Sequence, residues 1–160
     1  MVKISKKNLF IFLSILFIFL SDRISKEIII KLSNLNENLN FEVTKFLSFN
    51  LIWNEGIAFG WFSFDQKIYY NLLTILIVII TLFILWMILK TKNTEKIAYI
   101  MIFGGSLGNI YDRIRFSAVP DFIDFHINNF HWFIFNVADI FITLGVILLI
   151  YLEIFIKKKI

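Results

Sequence analysis

The chain alternates between long apolar runs and short charged ones. Residues 68–89 are 22 positions without a charge, enough for a helix to cross the roughly 30 Å hydrocarbon layer of a bilayer. Residues 135–156 form a second run of 22, with Asp139 and Glu153 near its ends. Residues 9–32 stay apolar to Leu20, meet Ser21, Asp22, Arg23 and Lys26, and turn apolar again at 28–30. Residues 97–111 are a shorter run holding Gly104, Gly105 and Gly108; small residues four apart let membrane helices approach closely. The pattern predicts four spans, near residues 9–32, 68–89, 97–112 and 135–156. Within residues 41–64 apolar and polar positions partly alternate, as in "FLSFNLIW", which predicts short strands. The expected fold is an all-α integral membrane protein: one membrane-embedded domain over residues 1–160, a four-transmembrane-helix bundle with a small extracytoplasmic β-structured segment between the first two spans.

Composition agrees. Hydrophobic residues make up 59% and charged residues only 18%, with a mean hydropathy of +0.79. Soluble domains carry about a quarter charged residues. Cysteine is absent, which excludes disulfides and thiol chemistry. The net charge of +4 does not point to nucleic acid, because nine of the lysines fall in three clusters bordering apolar runs: Lys3, Lys6 and Lys7; Lys90, Lys92 and Lys96; Lys157, Lys158 and Lys159. Lysine concentrates on the cytoplasmic side of membrane proteins. If all three clusters are cytoplasmic, both termini are too, and residues 33–67 and 112–134 lie outside. The first run also resembles a secretory signal peptide, but "SDRISK" follows Leu20 where small residues for cleavage belong. A retained first span is expected.

With the lysine clusters set aside, the remaining polar residues gather at one level. Asp22, Lys26, Asn54, Glu55, Asn109, Asp112, Arg113, Asp121, Asp124, Asn136 and Asp139 all map to outer span ends or outer segments. Ionisable groups at membrane depth usually face a bundle interior and mark function. Asp22 and Lys26 share a helix face, as do Asn109, Asp112 and Arg113, and Asn136, Asp139 and Thr143. Asp22 with Lys26 is expected to be an ion pair ordering the first span. Arg113 is expected to be a structural partner of Asp112 or of nearby backbone. Two readings stand for Asp139: a buried pair with Arg113 or Lys26, or half of an acid pair.

The chemistry available is narrow. His126 and His131 lie outside, five apart, without a nucleophile elbow or an H-E-x-x-H pattern, and no metal or cofactor is expected. Carboxylates are plentiful. Two held close together cannot both ionise easily, so one keeps a proton. The ionised one can deprotonate water and the protonated one can polarise a carbonyl, which is aspartic hydrolysis. Spacing leaves Asp121 and Asp124 both open as the partner of Asp139.

Five short motifs in order resemble bacterial lipoprotein signal peptidase, or signal peptidase II, over nearly the whole length. "SDRISK" resembles its D-x-x-[ST]-K element. "NEGIAFG" resembles N-x-G-x-[AS]-F, with Asn54, Gly56, Ala58 and Phe59. "GGSLGNIYDR" matches G-G-x-x-G-N-x-x-D-R, "AVPDFIDF" resembles V-x-D-F, and "FNVADIFI" matches F-N-x-A-D. The resemblance implies a catalytic pair of Asp121 and Asp139, with Asp124 a neighbour. It implies supporting or substrate-binding roles for Asn54, Gly56, Asn109, Arg113 and Asn136, and structural roles for Asp22, Lys26 and Asp112. It implies diacylglyceryl-prolipoprotein substrates cleaved before the lipid-modified cysteine, at the outer face of the bacterial cytoplasmic membrane. Membrane lipid is then the surrounding partner and a monomer the expected state.

Overall fold

The computed structural model describes residues 5–35, 40–56, 67–92, 94–128 and 130–156. Lys3, the cluster Lys157, Lys158 and Lys159, and the motif residues Ala58 and Phe59 lie outside these. Four long helices form. Helix α1 (Lys6–Leu35) follows Ser5, whose hydroxyl accepts the backbone N–H of Asn8 at 3.2 Å. Helix α2 (Lys67–Lys90) and helix α3 (Glu95–Phe116) follow. Helix α4 (Val137–Tyr151) runs on into a wider π-helical turn, Leu152–Ile156. By length and composition α1, α2 and the α4 segment are apolar enough to cross a membrane. Helix α3 is as long as a span but carries Glu95, Lys96, Asp112, Arg113 and Arg115.

The helices pack through α3, which touches the other three. Ile18, Ile88, Ile100 and Phe103 bury a small apolar core where α1, α2 and α3 meet. Glycine makes the closest approaches possible. A Cβ on Gly105 would meet the Ala138 carbonyl of α4, and one on Gly108 would meet the Asp22 carboxylate of α1. The outward positions of α2, including Leu72, Ile75, Ile79, Ile80, Phe83 and Trp86, are exposed. In water such a surface is a liability; against lipid tails it is the ordinary exterior of a membrane helix.

Four strands form one antiparallel sheet in the order β1-β2-β3-β4: β1 (Asn40–Thr44), β2 (Leu47–Asn54), β3 (Val119–Ile127) and β4 (Phe130–Phe135). The strands expected between the first two spans are β1 and β2. The sheet is larger than that expectation, because its other half comes from the outer segment after α3. All three pairings contain a register shift, which bends a sheet and re-aims its side chains. The chain turns from α3 into β3 at Ser117, in the left-handed region at φ 56°, whose N–H bonds the Arg113 carbonyl at 3.1 Å. Edge-on contacts of Trp53 with Phe116 (5.3 Å) and Phe49 with Phe122 (6.0 Å) tie β2 to the end of α3 and to β3.

Candidate functional site

The site lies where β3 and the head of α4 meet the outer ends of α1 and α3. Strand β4 ends at Phe135, and α4 begins at once behind Asn136. The first N–H groups of a helix have no partner within it. Here the Asn136 side chain accepts the Asp139 N–H at 3.0 Å, while the Asp139 carboxylate accepts the Asn136 N–H at 3.2 Å, a reciprocal capping box. A third orphan, the Ala138 N–H, donates to Oδ1 of Asp22 at 3.0 Å. Asp139 therefore sits in the first turn, where the helix dipole favours negative charge.

Asp22 belongs to a buried charge cluster. Lys26 donates to Asp22 Oδ2 at 2.9 Å and to Asp112 Oδ2 at 2.7 Å. Arg23 pairs with the same two carboxylates, at 3.1 Å and 2.5 Å. Asp22, Lys26 and Asp112 are fully buried and Arg23 nearly so. Two cations against two carboxylates leave the cluster neutral, which is the condition for holding charges out of water. The expected Asp22–Lys26 pair is present, within a larger group. Arg23 was overlooked, although an arginine inside an apolar span demands a partner in any case.

Of the two partners expected for Arg113 the structure shows backbone and not Asp112, and Asp139 is not half of a salt bridge with Arg113 or Lys26. Asp112 is taken by Arg23 and Lys26. Arg113 instead donates to the Gly56 carbonyl at 2.8 Å and lies 5.4 Å from the Tyr70 ring of α2. Among the described residues no cation forms an ion pair with Asp139 or Asp121.

What surrounds these two carboxylates is amide. Asn109 Nδ2 donates to Asp139 Oδ1 at 2.8 Å. Asn136 Nδ2 donates to Asp121 Oδ1 at 2.6 Å and Asn54 Nδ2 to Asp121 Oδ2 at 2.9 Å. Each amide is locked by its other end. Lys26 donates to Asn109 Oδ1 at 2.9 Å, the Gly56 N–H to Asn54 Oδ1 at 2.9 Å, and the Asp139 N–H to Asn136 Oδ1. None can flip without losing a bond, so all three present N–H to the acids. Asn136 joins both.

Asp121 and Asp139 line one cavity of about 400 Å³, together with Asn54, Asn109, Arg113 and Asn136. Apolar walls come from Val119, Phe133, Phe135 and Ile142. Burial first, and the Asp139 carboxylate second, raise the Asp121 pKa from its ordinary value to about 7 against the pull of the Asn54 and Asn136 amides. Near neutral pH the pair thus holds a proton that an exposed aspartate would release, the state needed for acid and base roles at once. Asp124 is elsewhere: its carboxylate faces Ser48 and His131.

Comparison with known proteins narrows the chemistry. The profile of a family described as "Signal peptidase (SPase) II" matches residues 14–155. A lipoprotein signal peptidase of Pelagibacter ubique is 49% identical over 158 residues, 98% of this chain and 95% of that protein. One from Francisella tularensis subsp. mediasiatica is 42% identical over 124 residues, 75% and 77% of the two chains. Two solved structures described as bacterial membrane enzymes, determined in meso, share the fold. One at 2.3 Å resolution has a TM-score of 0.75 and 31% identity, covering 89% of this chain and 86% of its own. The other, at 1.9 Å, has a TM-score of 0.76 and 28% identity, covering 92% and 94%.

Proposed function

The chain belongs to the signal peptidase II family, and from that premise we propose that Asp121 and Asp139 are its catalytic pair. The protein is an aspartic endopeptidase that removes the signal peptides of prolipoproteins. The observation that carries the residue assignment is the amide-lined cavity, where two carboxylates with no ion pair among the described residues share Asn136. The ionised carboxylate takes a proton from water as its oxygen attacks the scissile carbonyl. The protonated one donates to that carbonyl oxygen, and on collapse a proton passes to the departing amine. Asn54, Asn109 and Asn136 hold the acids in place and limit how much charge the pair can shed. Arg113 fixes Gly56, and through it Asn54. Asp22, Lys26 and Asp112 anchor the head of α4. Two carboxylates and water complete this reaction with no cofactor.

The substrate is a diacylglyceryl-modified precursor, cut before its lipid-bearing cysteine at the outer face of the cytoplasmic membrane. The cavity opens at the head of a span beside exposed apolar residues, where a lipid-anchored peptide would lie. Helix α3 is the fourth span. Strands β2 and β3 are paired in one sheet, hence on one side of the membrane, and α2 and α3 are the long helices between them. If α2 crosses outward to inward, α3 must return. The lysine clusters put both ends of the chain in the cytoplasm and the sheet outside. The whole forms one domain acting as a monomer.

The test is single-turnover cleavage of a purified diacylated prolipoprotein, followed as loss of the signal-peptide mass. Asp121→Asn and Asp139→Asn should each abolish cleavage while retaining substrate binding, and the double variant should lose little more, because groups acting as a unit are non-additive. Substantial turnover by Asp139→Asn would sink the assignment.

A further inference from the structure

We propose that Asp124, His126 and His131 form a zinc-binding site on the outer sheet, clipping β3 to β4 beside the acid pair. The chain has two histidines and no cysteine. Its entire stock of imidazole and thiol ligands therefore amounts to these two rings, and the fold brings them together. The hairpin register sets His126 opposite His131, with the rings stacked 28° from parallel and centroids 5.1 Å apart. Asp124 completes the group. Its nearly fully buried carboxylate meets His131 Nδ1 at 2.8 and 3.0 Å, and one ligand atom from each of the three residues lies within 4.8 Å of the others. The sequence shows the two histidines five apart, a spacing from which no metal site is expected; the hairpin register is what brings them together.

An Asp124–His131 ion pair alone does not explain the cluster. It leaves His126 out, and the buried Nδ1 of His126 has no hydrogen-bond partner among the described residues. A buried polar atom without a partner is costly. Stacked imidazoles are also poor neighbours if both are charged. A divalent ion settles both difficulties, since it takes a lone pair from each neutral ring. Zinc bonds of about 2.0–2.2 Å place tetrahedral ligand atoms roughly 3.3 Å apart. From ligand atoms up to 4.8 Å apart this requires a contraction of about 1.5 Å and a turn of one ring out of the stack, which the His131 side chain, 56% exposed, has room to make. Ser48 donates to Asp124 Oδ2 at 3.4 Å, the kind of outer contact that orients a ligating carboxylate. Two imidazoles and one carboxylate favour zinc over the oxygen-seeking magnesium and calcium. Water reaching the exposed His131 would fill the fourth position. Asp124 lies three residues beyond Asp121 on β3, so a loaded site would steady the strand that carries one of the acids.

The experiment uses the full chain, purified in detergent, stripped with a chelator and dialysed against zinc chloride. One zinc per chain is expected by metal analysis, with a rise in melting temperature as zinc is added. X-ray absorption at the zinc edge should show two imidazole ligands. His126→Gln and His131→Gln should each weaken binding by at least about 10-fold, and Asp121→Asn should leave the stoichiometry at one. Absence of uptake by the parent at micromolar zinc would overturn the proposal. So would a bound ion with fewer than two imidazoles, a reading that does not depend on any variant folding. Zinc lost in Asp121→Asn but kept by both histidine variants would put the ion on the acid pair and would equally refute it.

Discussion

At the scale of single residues, the governing device is the asparagine whose oxygen is held so that its nitrogen faces an acid. Asn109 shows the logic. Lys26 grips its Oδ1 and its Nδ2 supports Asp139. A hydrogen bond to a charged group contributes about 1.5–3 kcal/mol, so Asn109→Ala should lower single-turnover cleavage by roughly 10–150-fold. Asn109→Asp keeps the shape and the Lys26 contact but aims a carboxylate at Asp139, and should be worse than alanine. An aspartate variant more active than alanine would show that the donor does not matter. Asp121 adds a pH signature. Its pKa of about 7 lies above the ordinary 3.8, so the folded protein keeps a proton that the unfolded chain releases between those values. Its contribution to stability is present at low pH and is lost as pH rises through about 7. The melting-temperature gain of Asp121→Asn over the parent should therefore grow from about pH 4 to 7 and level off above. Parent cleavage should decline over the same upper limb, as the shared proton leaves. All of the acids and amides were visible in the sequence as a polar level at the outer span ends. Which way each amide points was not, because the locking partner comes from a different element for Asn109 and from two residues downstream for Asn54.

At the scale of elements, helix α3 sets the geometry. Gly108 shows why its small residues matter. A Cβ there would come within 2.5 Å of Asp22 Oδ2, and Asp22 cannot yield, being fully buried and bonded to Lys26, Arg23 and the head of α4. Helix propensity favours alanine over glycine by about 1 kcal/mol, but overpacking at a rigid contact costs about 1–3 kcal/mol. Gly108→Ala should lower the melting temperature and reduce cleavage together. Gly104→Ala would press on Ile18 at 2.9 Å, a smaller overlap against an apolar neighbour that carries no ion pair, and should be milder on both measures. Equal melting temperatures for the two variants would mean that Asp22 is not fixed. The glycines were legible as a helix-packing signal. Strand β4 was not, because "FHWFIF" runs straight into the apolar start of α4. A strand joined without a break to a membrane helix looks like more of the same span. Only the Asn136–Asp139 spacing, a helix-start signal, marks the boundary.

At the scale of the whole molecule, charge is segregated along the bundle axis. Lys90 ends α2, Lys92 follows it, and Lys96 lies in the first turn of α3. Sixteen residues further along α3 comes Asp112 of the buried cluster, about 24 Å away at 1.5 Å per helical residue. That separation approaches the thickness of the hydrocarbon layer, as the proposed orientation, with the lysines at one face and the acid site at the other, requires. The sheet, the cluster and the cavity share one end, which is the arrangement required to meet a substrate whose signal peptide is itself in the membrane. The absence of cysteine makes the orientation directly testable. Lys45 lies in the β1–β2 turn and Thr94 lies just before α3, and both are exposed. Lys45→Cys should react with a membrane-impermeant maleimide on intact cells whose outer layers are permeable to the reagent. Thr94→Cys should react only once the cytoplasmic membrane is opened. A third variant, Asn128→Cys in the β3–β4 turn, should follow Lys45, because β2 and β3 are bonded in one sheet and α2 and α3 must return the chain to the same side. Labelling of Thr94→Cys from outside would invert the orientation read from the lysines. Labelling of Lys45→Cys without Asn128→Cys would remove α3 as a span, and with it the single outer face on which the catalytic assignment depends.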